Sequence, residues 1–374
     1  MHAMQSTLLV GPADWDAARM PKQEFLARTT ALWRLAPAAA GAIIYGDRAH
    51  HAELAYFTHF TPKLEAALAL IPRVGTPRLL VGGGANMIQA AKPLTFLTAL
   101  QPLRDAGATL AQWTREQSGG GRPVLVGGPH MPHALHQEII GAVGTTADKT
   151  ADVANLMRRK SPRELAAIRE ACGSLEAAVA AMAQARRAGA DATAVVLAGE
   201  QAAYKRGAQE VRTLFSTDGG RTLRPFETLV TRAIDPLQVY LAVRQYGYWA
   251  EGFAVVTASP NRHVRGASDI LQFAIDMITP GRRYADIARA IRKATAPLRS
   301  HALTQRLVGN AIGLALEEPP VIGADAMDAF EAGGVYSLRV GLSDAQEHAI
   351  SSAMIAVSAF GCEVLWSSPM QDQQ

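Results

Sequence analysis

The sequence contains very little cysteine: Cys172 and Cys362 are the only two in 374 residues, and they lie far apart. Two distant thiols form neither a disulfide framework nor a Cys-x-x-Cys metal site. Reduced cysteines are typical of a reducing compartment, and residues 1–15 lack the apolar run of a signal peptide. We therefore expect a cytoplasmic protein.

Long apolar runs and a strong excess of one charge are also absent. No stretch approaches the roughly 20 apolar residues that span a bilayer. The net charge is only +4 and the basic residues are scattered, so we expect neither a membrane nor nucleic acid as a partner. The chain is 49% hydrophobic and 19% charged, which is typical of a soluble globular protein, and its length suggests two domains.

The first third of the chain has the pattern of an α/β domain. Short apolar runs that end at glycines predict strands, and residues 64–70 between them are predicted to be helical. Strands that alternate with helices indicate a mixed or parallel sheet. The predicted strands cover residues 42–45, 78–81 and 123–126.

A domain boundary is expected near residue 155, which gives domains over residues 1–155 and 156–374. Ser161-Pro162-Arg163-Glu164 has the form of a helix start, with serine as N-cap and glutamate in the first turn. Amphipathic helices and strand-like runs follow, and this pattern predicts an α+β fold with a mostly antiparallel sheet. The predicted helices cover residues 164–187 and 284–294, and the predicted strands cover 239–243, 253–257, 334–340 and 353–357.

Four short segments of the second domain carry recognisable motifs. They are Arg158-Arg159-Lys160-Ser161 with Glu164, the stretch 240–251 with Gly247-Tyr248-Trp249, the stretch 309–320 with Gly309-Asn310-Ala311-Ile312-Gly313-Leu314, and Gly361-Cys362-Glu363-Val364-Leu365. In order and spacing they resemble the creatinase/aminopeptidase P/prolidase (M24) family. The resemblance covers nearly the whole chain. It implies a pita-bread domain preceded by a smaller creatinase-like α/β domain, and a homodimer.

The resemblance also shows which metal ligands are missing. The family holds two divalent metals with Asp, Asp, His, Glu and Glu. The matching positions here are Tyr240, Glu251, Asn310, Arg339 and Ser352. Only Glu251 is an ordinary ligand of a hard metal ion. The comparison therefore implies a divergent member that binds no metal and needs no cofactor.

The charges at these five positions changed together. The family set carries four negative charges that two divalent cations neutralise, whereas Glu251 and Arg339 leave the set in this chain with no net charge. Uncompensated negative charge in a buried pocket would be very costly. Arg339 is therefore expected to take the place of the cations.

Three of the five positions are candidates for chemistry. Glu251 could act as a general base or bind a substrate cation, or it could simply pair with Arg339. Arg339 could hold a substrate carboxylate with two hydrogen bonds, or serve only in that internal pair. Tyr240 could donate a proton or merely fill the space of the metals.

Further candidates lie around these positions. Asn310 and Ser352 are predicted to contact the substrate because they stand at former ligand positions. Glu317 occupies the place of a substrate-side histidine of the family, and Glu318 matches a family glutamate. In a strand only one of the two can face the pocket, and we favour Glu318 as a catalytic residue. His348 could sit beside the site as a substrate contact or be structural.

Three functions remain open at this stage. The first is a metal-independent enzyme, a hydrolase or lyase that cleaves a C–N or related bond of a small amino-acid-like or guanidino-like substrate. The second is an inactive pseudo-peptidase that binds or scaffolds. The third is a hydrolase similar to Xaa-Pro aminopeptidase with an altered metal site. All three rest on analogy with the fold.

Overall fold

The computed structural model describes residues 14–117, 121–257, 259, 261–345 and 347–369. Most of the amino-terminal segment over which no signal peptide is expected therefore lies outside the described residues. Contacts divide the chain into two compact units, Met1–Met157 and Arg158–Gln374. Each unit has a hydrophobic core of its own.

The first unit is built on a five-stranded mixed sheet. The strands lie in the order β4-β3-β2-β1-β5, with parallel pairing of β3 with β4 and of β1 with β5. Ile43, Leu68, Leu80 and Leu125 are buried on one side of it, where they pack with Trp113. The strands are β1 Gly41–Gly46, β2 Ala67–Pro72, β3 Arg78–Val81, β4 Ala99–Pro102 and β5 Val124–Val126. The helices are α1 Lys22–Leu35, α2 Ala52–Thr58, α3 Ala85–Ala91, α4 Ala106–Glu116, α5 His133–Val143 and α6 Thr150–Arg158.

One predicted helix of this unit is wrong. Residues 64–70 were expected to be helical, but the structure has strand β2 from Ala67 to Pro72, and each of its six residues is buried. A short continuous apolar run fits a buried strand as well as a helix, because periodicity alone does not separate the two. Strand β2 pairs with β1 and β3, so both of its neighbours contribute to its burial.

The second unit begins with the longest helix of the described chain. Helix α7, Pro162–Arg187, starts with the predicted capping box, in which Ser161 accepts a hydrogen bond from the Glu164 amide and Glu164 accepts one from the Ser161 amide. This arrangement satisfies amides that a helix start leaves without partners. The later helices are α8 Ala192–Lys205, α9 Arg262–Asp276 and α10 Tyr284–Thr295.

Two antiparallel sheets complete the second unit. One has the order β6-β7-β8 and the other β10-β9-β11-β12-β13. The strands are β6 Glu210–Phe215, β7 Leu237–Gln245, β8 Tyr248–Val256, β9 Leu307–Ala311, β10 Glu318–Gly323, β11 Val335–Ser343, β12 His348–Val357 and β13 Cys362–Ser367. The predicted α+β fold is confirmed.

The two sheets of the second unit are joined by hydrogen bonds between β12 and the β7–β8 hairpin. The Phe253 amide on β8 donates to Ser352 Oγ on β12 at 2.7 Å, and the Ile350 amide donates to Gln238 Oε1 at 2.7 Å. These bonds bring β7 and β8 beside the central strands of the larger sheet. No helix among the described residues combines the length and the hydropathy needed to cross a membrane.

Candidate functional site

Glu251 on β8 is the centre of the candidate site. In the β7–β8 hairpin it lies opposite Ala242, and antiparallel pairing puts its side chain on the same face as Tyr240, two residues earlier on β7. The Tyr240 hydroxyl donates a hydrogen bond to Glu251 Oε2 at 2.6 Å. Glu251 is only 2% exposed, so Tyr240 and its other neighbours cover the carboxyl group.

Arg339 approaches the same carboxyl group from β11. Its Nη1 lies 3.9 Å from Glu251 Oε1, which makes a long ion pair. The Arg339 side chain is 13% exposed, so it lies at the boundary between the buried carboxyl group and solvent. The structure thus brings together three of the predicted residues, one from each of three strands.

Burial dominates the electrostatics of this cluster. Removal from water raises the pKa of Glu251 above its usual range, although the hydrogen bonds from Tyr240 and Ser337 and the positive charge of Arg339 act in the opposite direction. Burial and the adjacent Glu251 also raise the pKa of Tyr240 far above that of a free phenol. Tyr240 therefore stays protonated and Glu251 holds a proton more readily than an exposed glutamate.

Asn310 on β9 lies beside Ser337 on β11 and adds a third strand pairing to the site. The two residues are direct partners in the β9–β11 pairing and are each 1% exposed. The Asn310 amide nitrogen donates to the carbonyl oxygens of Ala311 and Leu316 at 3.0 and 3.3 Å. Asn310 therefore ties β9 to the turn that follows it, while its oxygen makes no hydrogen bond within the described residues.

Ser352 is engaged in holding the sheets together. It lies opposite Arg339 in the β11–β12 pairing and is fully buried. Its hydroxyl accepts from the Phe253 amide, and its own amide donates to Ser368 Oγ at 2.7 Å. These contacts give Ser352 a structural role; they offer no support for the predicted contact with a substrate.

The two adjacent glutamates have different surroundings. Glu318 is buried and receives hydrogen bonds from Lys160 Nζ at 2.6 Å and from the Leu314 and Ala315 amides at 2.8 and 3.3 Å. Glu317 is exposed, and its charge raises the pKa of Glu251. The preference for Glu318 as the catalytic residue is not supported, because its oxygens already bind a lysine and a turn.

His348 belongs to a separate polar group at the start of β12. Its Nδ1 lies 2.9 Å from Ser343 Oγ, and its ring meets His301 edge-on at 5.7 Å. His301 in turn contacts the Gly220 carbonyl oxygen through Nε2 at 2.9 Å. His348 lies four residues before Ser352 along β12, which is about 13 Å in an extended strand. His348 is therefore not part of the cluster formed by Tyr240, Glu251 and Arg339.

The sequence of the second unit matches a known family. Residues 166–359, more than half of the chain, match the model of metallopeptidase family M24. This chain belongs to family M24. The predicted membership is confirmed. No curated protein matches the sequence.

Solved structures support the same assignment of the M24 fold. X-Pro aminopeptidase from Thermotoga maritima is 16% identical, with 92% of this chain and 98% of that chain covered and a TM-score of 0.77. Prolidase from Pyrococcus horikoshii is 14% identical, with 93% and 99% covered and a TM-score of 0.73. Aminopeptidase P from E. coli is 15% identical, with 92% and 94% covered and a TM-score of 0.70. At such identities the likeness shows the fold, and the predicted pita-bread architecture is confirmed.

The side chains of this M24 chain do not fit the two divalent metals that the family implies. A guanidinium has no lone pair to offer a metal, and Arg339 stands beside the only carboxylate of the five positions. The Tyr240 hydroxyl donates its proton to a hydrogen bond with Glu251, and the Ser352 hydroxyl accepts a hydrogen bond from the Phe253 amide. Across the described part of the chain, no three or more His, Cys, Asp or Glu side chains are grouped so as to hold a metal ion.

Two residues of the site were not predicted from the sequence of this M24 protein. Ser337 lies against Glu251 and lowers its pKa, but only the strand register reveals that contact. Lys160 pairs with Glu318 across 158 residues of sequence. Lys160 stands in the Arg158-Arg159-Lys160-Ser161 segment that carries the resemblance, so the motif marked the residue but not its partner.

Proposed function

We propose that this M24 protein is a metal-independent enzyme that hydrolyses a C–N bond of a small polar substrate with amide, ureido or guanidino character. The observation that supports this proposal is the buried group formed by Tyr240, Glu251 and Arg339, with 2.6 Å between Tyr240 Oη and Glu251 Oε2. In the resemblance to the family, Glu251 stands at a metal-ligand position, and burial raises the pKa of its carboxyl group. Perturbed titratable groups of this kind are candidates for acid and base roles.

Glu251 would supply the proton that the leaving group needs. In hydrolysis, water forms a C–O bond to the carbon attached to nitrogen, the C–N bond breaks, and the nitrogen takes up a proton. A carboxyl group whose pKa is raised by burial keeps its proton closer to neutral pH and can give it to that nitrogen. The proton that the attacking water loses then restores the acid.

Arg339 would hold the carbonyl oxygen of an amide or ureido substrate. Its guanidinium combines a fixed positive charge with several N–H donors, and its partial exposure leaves it facing the solvent boundary of the site. In this role it stabilises the negative charge that develops on the oxygen when water adds. Glu317, exposed and electrostatically coupled to Glu251, is the neighbouring group that a substrate cation would meet.

The decisive experiment measures amine or ammonia release from a panel of small amides, ureido acids and guanidino acids in the presence of a chelator. We expect turnover that survives the chelator and falls at least a hundredfold in Glu251→Gln, because loss of a general acid typically costs factors of 100 or more. Glu363→Gln is the matched control, since Glu363 pairs with Arg169 on the surface. Full activity in Glu251→Gln would remove Glu251 from the mechanism.

The second candidate function is a binding or scaffold protein without catalysis. The observation that favours it is the burial of Glu251, Asn310 and Ser352, each at most 2% exposed, which leaves Arg339 and Tyr240 as the covers of the site. No turnover of any panel compound, with ligand or partner binding retained, would select this function. Near-stoichiometric metal in the purified protein would instead favour an altered Xaa-Pro aminopeptidase-like hydrolase.

A further inference from the structure

The loop that follows β6 is tied to the larger sheet through a buried histidine. We call residues 216–224 the β6 loop. His301 is 1% exposed, and its Nε2 lies 2.9 Å from the carbonyl oxygen of Gly220 in the middle of this loop. The amide of His301 donates to the Gly341 carbonyl oxygen on β11. One buried residue therefore links the β6 loop to β11.

Two backbone contacts fix the protonation state of His301. A neutral imidazole has one donor and one acceptor nitrogen, whereas a charged imidazole has two donors. The Leu303 amide donates to Nδ1 at 3.2 Å, so Nδ1 is the acceptor and the proton on Nε2 reaches the Gly220 carbonyl oxygen. A second proton on Nδ1 would point at the N–H of Leu303. Both contacts therefore exist together only while His301 is neutral.

The β6 loop packs tightly where His301 holds it. Gly220 has a φ of +91°, and a Cβ atom there would lie 2.5 Å from the carbonyl oxygen of His348, the first residue of β12. A positive φ of this kind is adopted readily only by glycine. The Gly220 amide donates to Ser216 Oγ at 2.8 Å. Loss of the bond from His301 would therefore remove a contact at the most closely packed point of the loop.

Positively charged and titratable groups around His301 and His348 disfavour a proton on either ring. The two rings meet edge-on at 5.7 Å, and His348 Nε2 has no hydrogen-bond partner among the described residues. Burial and then the adjacent His348 lower the pKa of His301, against the effect of the Gly220 carbonyl oxygen. Burial and then Arg221 of the β6 loop lower the pKa of His348, and His263 on α9 adds to this effect.

The carboxylates nearby favour a charged imidazole, but each already binds another group. Asp218 faces both rings from the β6 loop and accepts a hydrogen bond from the Thr222 hydroxyl at 2.7 Å. Asp344, in the turn between β11 and β12, lies 3.2 Å from His263 Nε2, and Glu347 lies 3.6 Å from its Nδ1. These engaged carboxylates leave the two backbone contacts of His301 to favour its neutral form.

We infer that His301 is an acid-sensitive latch, which holds the β6 loop against the larger sheet while it is neutral and lets the loop open more readily when it takes up a proton. The pKa of His301 in the closed state lies below its ordinary value of 6.5, so the open state binds more protons below that pH. The closed state is fully favoured above pH 6.5 and loses stability as the pH falls toward the lowered pKa. This inference is independent of the proposed function at Glu251.

Hydrogen exchange of the full-length protein at pH 7.5 and 5.5 tests the inference. Rates corrected for intrinsic exchange give the protection of the bonded amides of Gly220, Thr222 and Arg224. An imidazole with its ordinary pKa is about tenfold more often charged than neutral at pH 5.5, so protection in the β6 loop should fall about tenfold. The amides of helix α7 should keep theirs. Equal loop protection at both pH values would overturn the inference.

Two variants assign the effect to His301. A glutamine amide offers a donor and an acceptor but takes up no proton, so His301→Gln should change loop protection less than twofold between the two pH values. His133→Gln is the matched control, because His133 is exposed on α5, and it should keep the tenfold loss. The same tenfold loss in His301→Gln would show that another group drives the opening and that the inference is wrong.

Nitrogen NMR of the wild-type protein locates the proton itself and does not depend on how the glutamine variant folds. Histidine labelled with nitrogen-15 distinguishes the two neutral tautomers from the charged ring. We expect His301 to carry its proton on Nε2 at pH 7.5. A charged ring or a proton on Nδ1 at that pH would overturn the inference. So would a charged ring in acid while the Gly220 amide keeps its full protection.

Discussion

Two ion pairs of the second unit, Lys160 with Glu318 and Arg339 with Glu251, are built differently. Lys160 and Glu318 are 2.6 Å apart, with side chains 2% and 6% exposed, and two backbone amides complete the Glu318 carboxylate. Arg339 and Glu251 are 3.9 Å apart, and both residues keep polar atoms without partners. In the first pair, the lysine and the two amides bind both carboxylate oxygens, and such hydrogen bonding is what stabilises a buried structural ion pair. The second has unused hydrogen-bonding capacity, which is what a ligand site needs.

The largest effect is expected from breaking the pair of Lys160 and Glu318. Lys160→Met leaves the buried Glu318 carboxylate without its cation, and such a change costs about 3–5 kcal/mol. Urea titration of the variant should show this loss of unfolding free energy at pH 7.5. The control is Lys149→Met, because Lys149 pairs with Asp152 at 2.8 Å on the surface, where pairs contribute at most about 1 kcal/mol. Equal losses in the two variants would contradict the structural role of Lys160.

The pair of Arg339 and Glu251 should be less sensitive to the same kind of change. Arg339→Met is expected to cost about 1–2 kcal/mol at pH 7.5, since the pair is long, partly exposed and able to relax by protonation of Glu251. The loss should shrink as the pH falls, because a neutral carboxyl group needs no cation. Arg169→Met, which breaks an exposed pair with Glu363, is the control. A loss as large as that of Lys160→Met would show that the two pairs do not differ.

A still smaller effect is expected for the phenol that covers Glu251. Tyr240→Phe keeps the ring contact with Phe253 at 4.9 Å and removes only the hydrogen bond to Glu251 Oε2. Loss of one hydrogen bond costs about 1 kcal/mol, and the pKa of Glu251 should rise further because that bond lowers it. Tyr204→Phe, on the surface, should change neither quantity. Unfolding curves at several pH values measure both effects.

The contrast between the two pairs also shows what the sequence could reveal. The α+β fold and the long capped helix α7 were predicted correctly, because capping residues and motif spacing are local signals. The contacts of Glu318 with Lys160, and of Glu251 with Ser337, depend on register between segments far apart in the chain. Strand β2 was mistaken for a helix for a related reason, since its burial comes from neighbouring strands.

The choice between Glu317 and Glu318 shows the same limit from within one motif. Their adjacency predicted that only one of them faces the pocket. Lys160 and the Leu314 and Ala315 amides bind the Glu318 carboxylate, whereas Glu317 is exposed. A turn that folds back on a side chain is not visible from residue types alone. The exposed Glu317 is therefore the glutamate whose charge acts on Glu251.

The last and smallest effect concerns stability as a function of pH. Burial raises the pKa of Glu251 in the folded protein above its ordinary value of 4.5. Above that value the unfolded chain loses its proton while the folded chain retains it, so the folded state is progressively disfavoured as pH rises through the raised pKa. Glu251→Gln removes this penalty and keeps an acceptor for Tyr240. Its melting temperature should equal that of the wild type near pH 4 and exceed it modestly at pH 8, while Glu363→Gln shows no such divergence. A variant that is less stable than the wild type at pH 8, and equal to it at pH 4, would mean that Arg339 outweighs burial and that Glu251 is ionised, so that it could not serve as the acid.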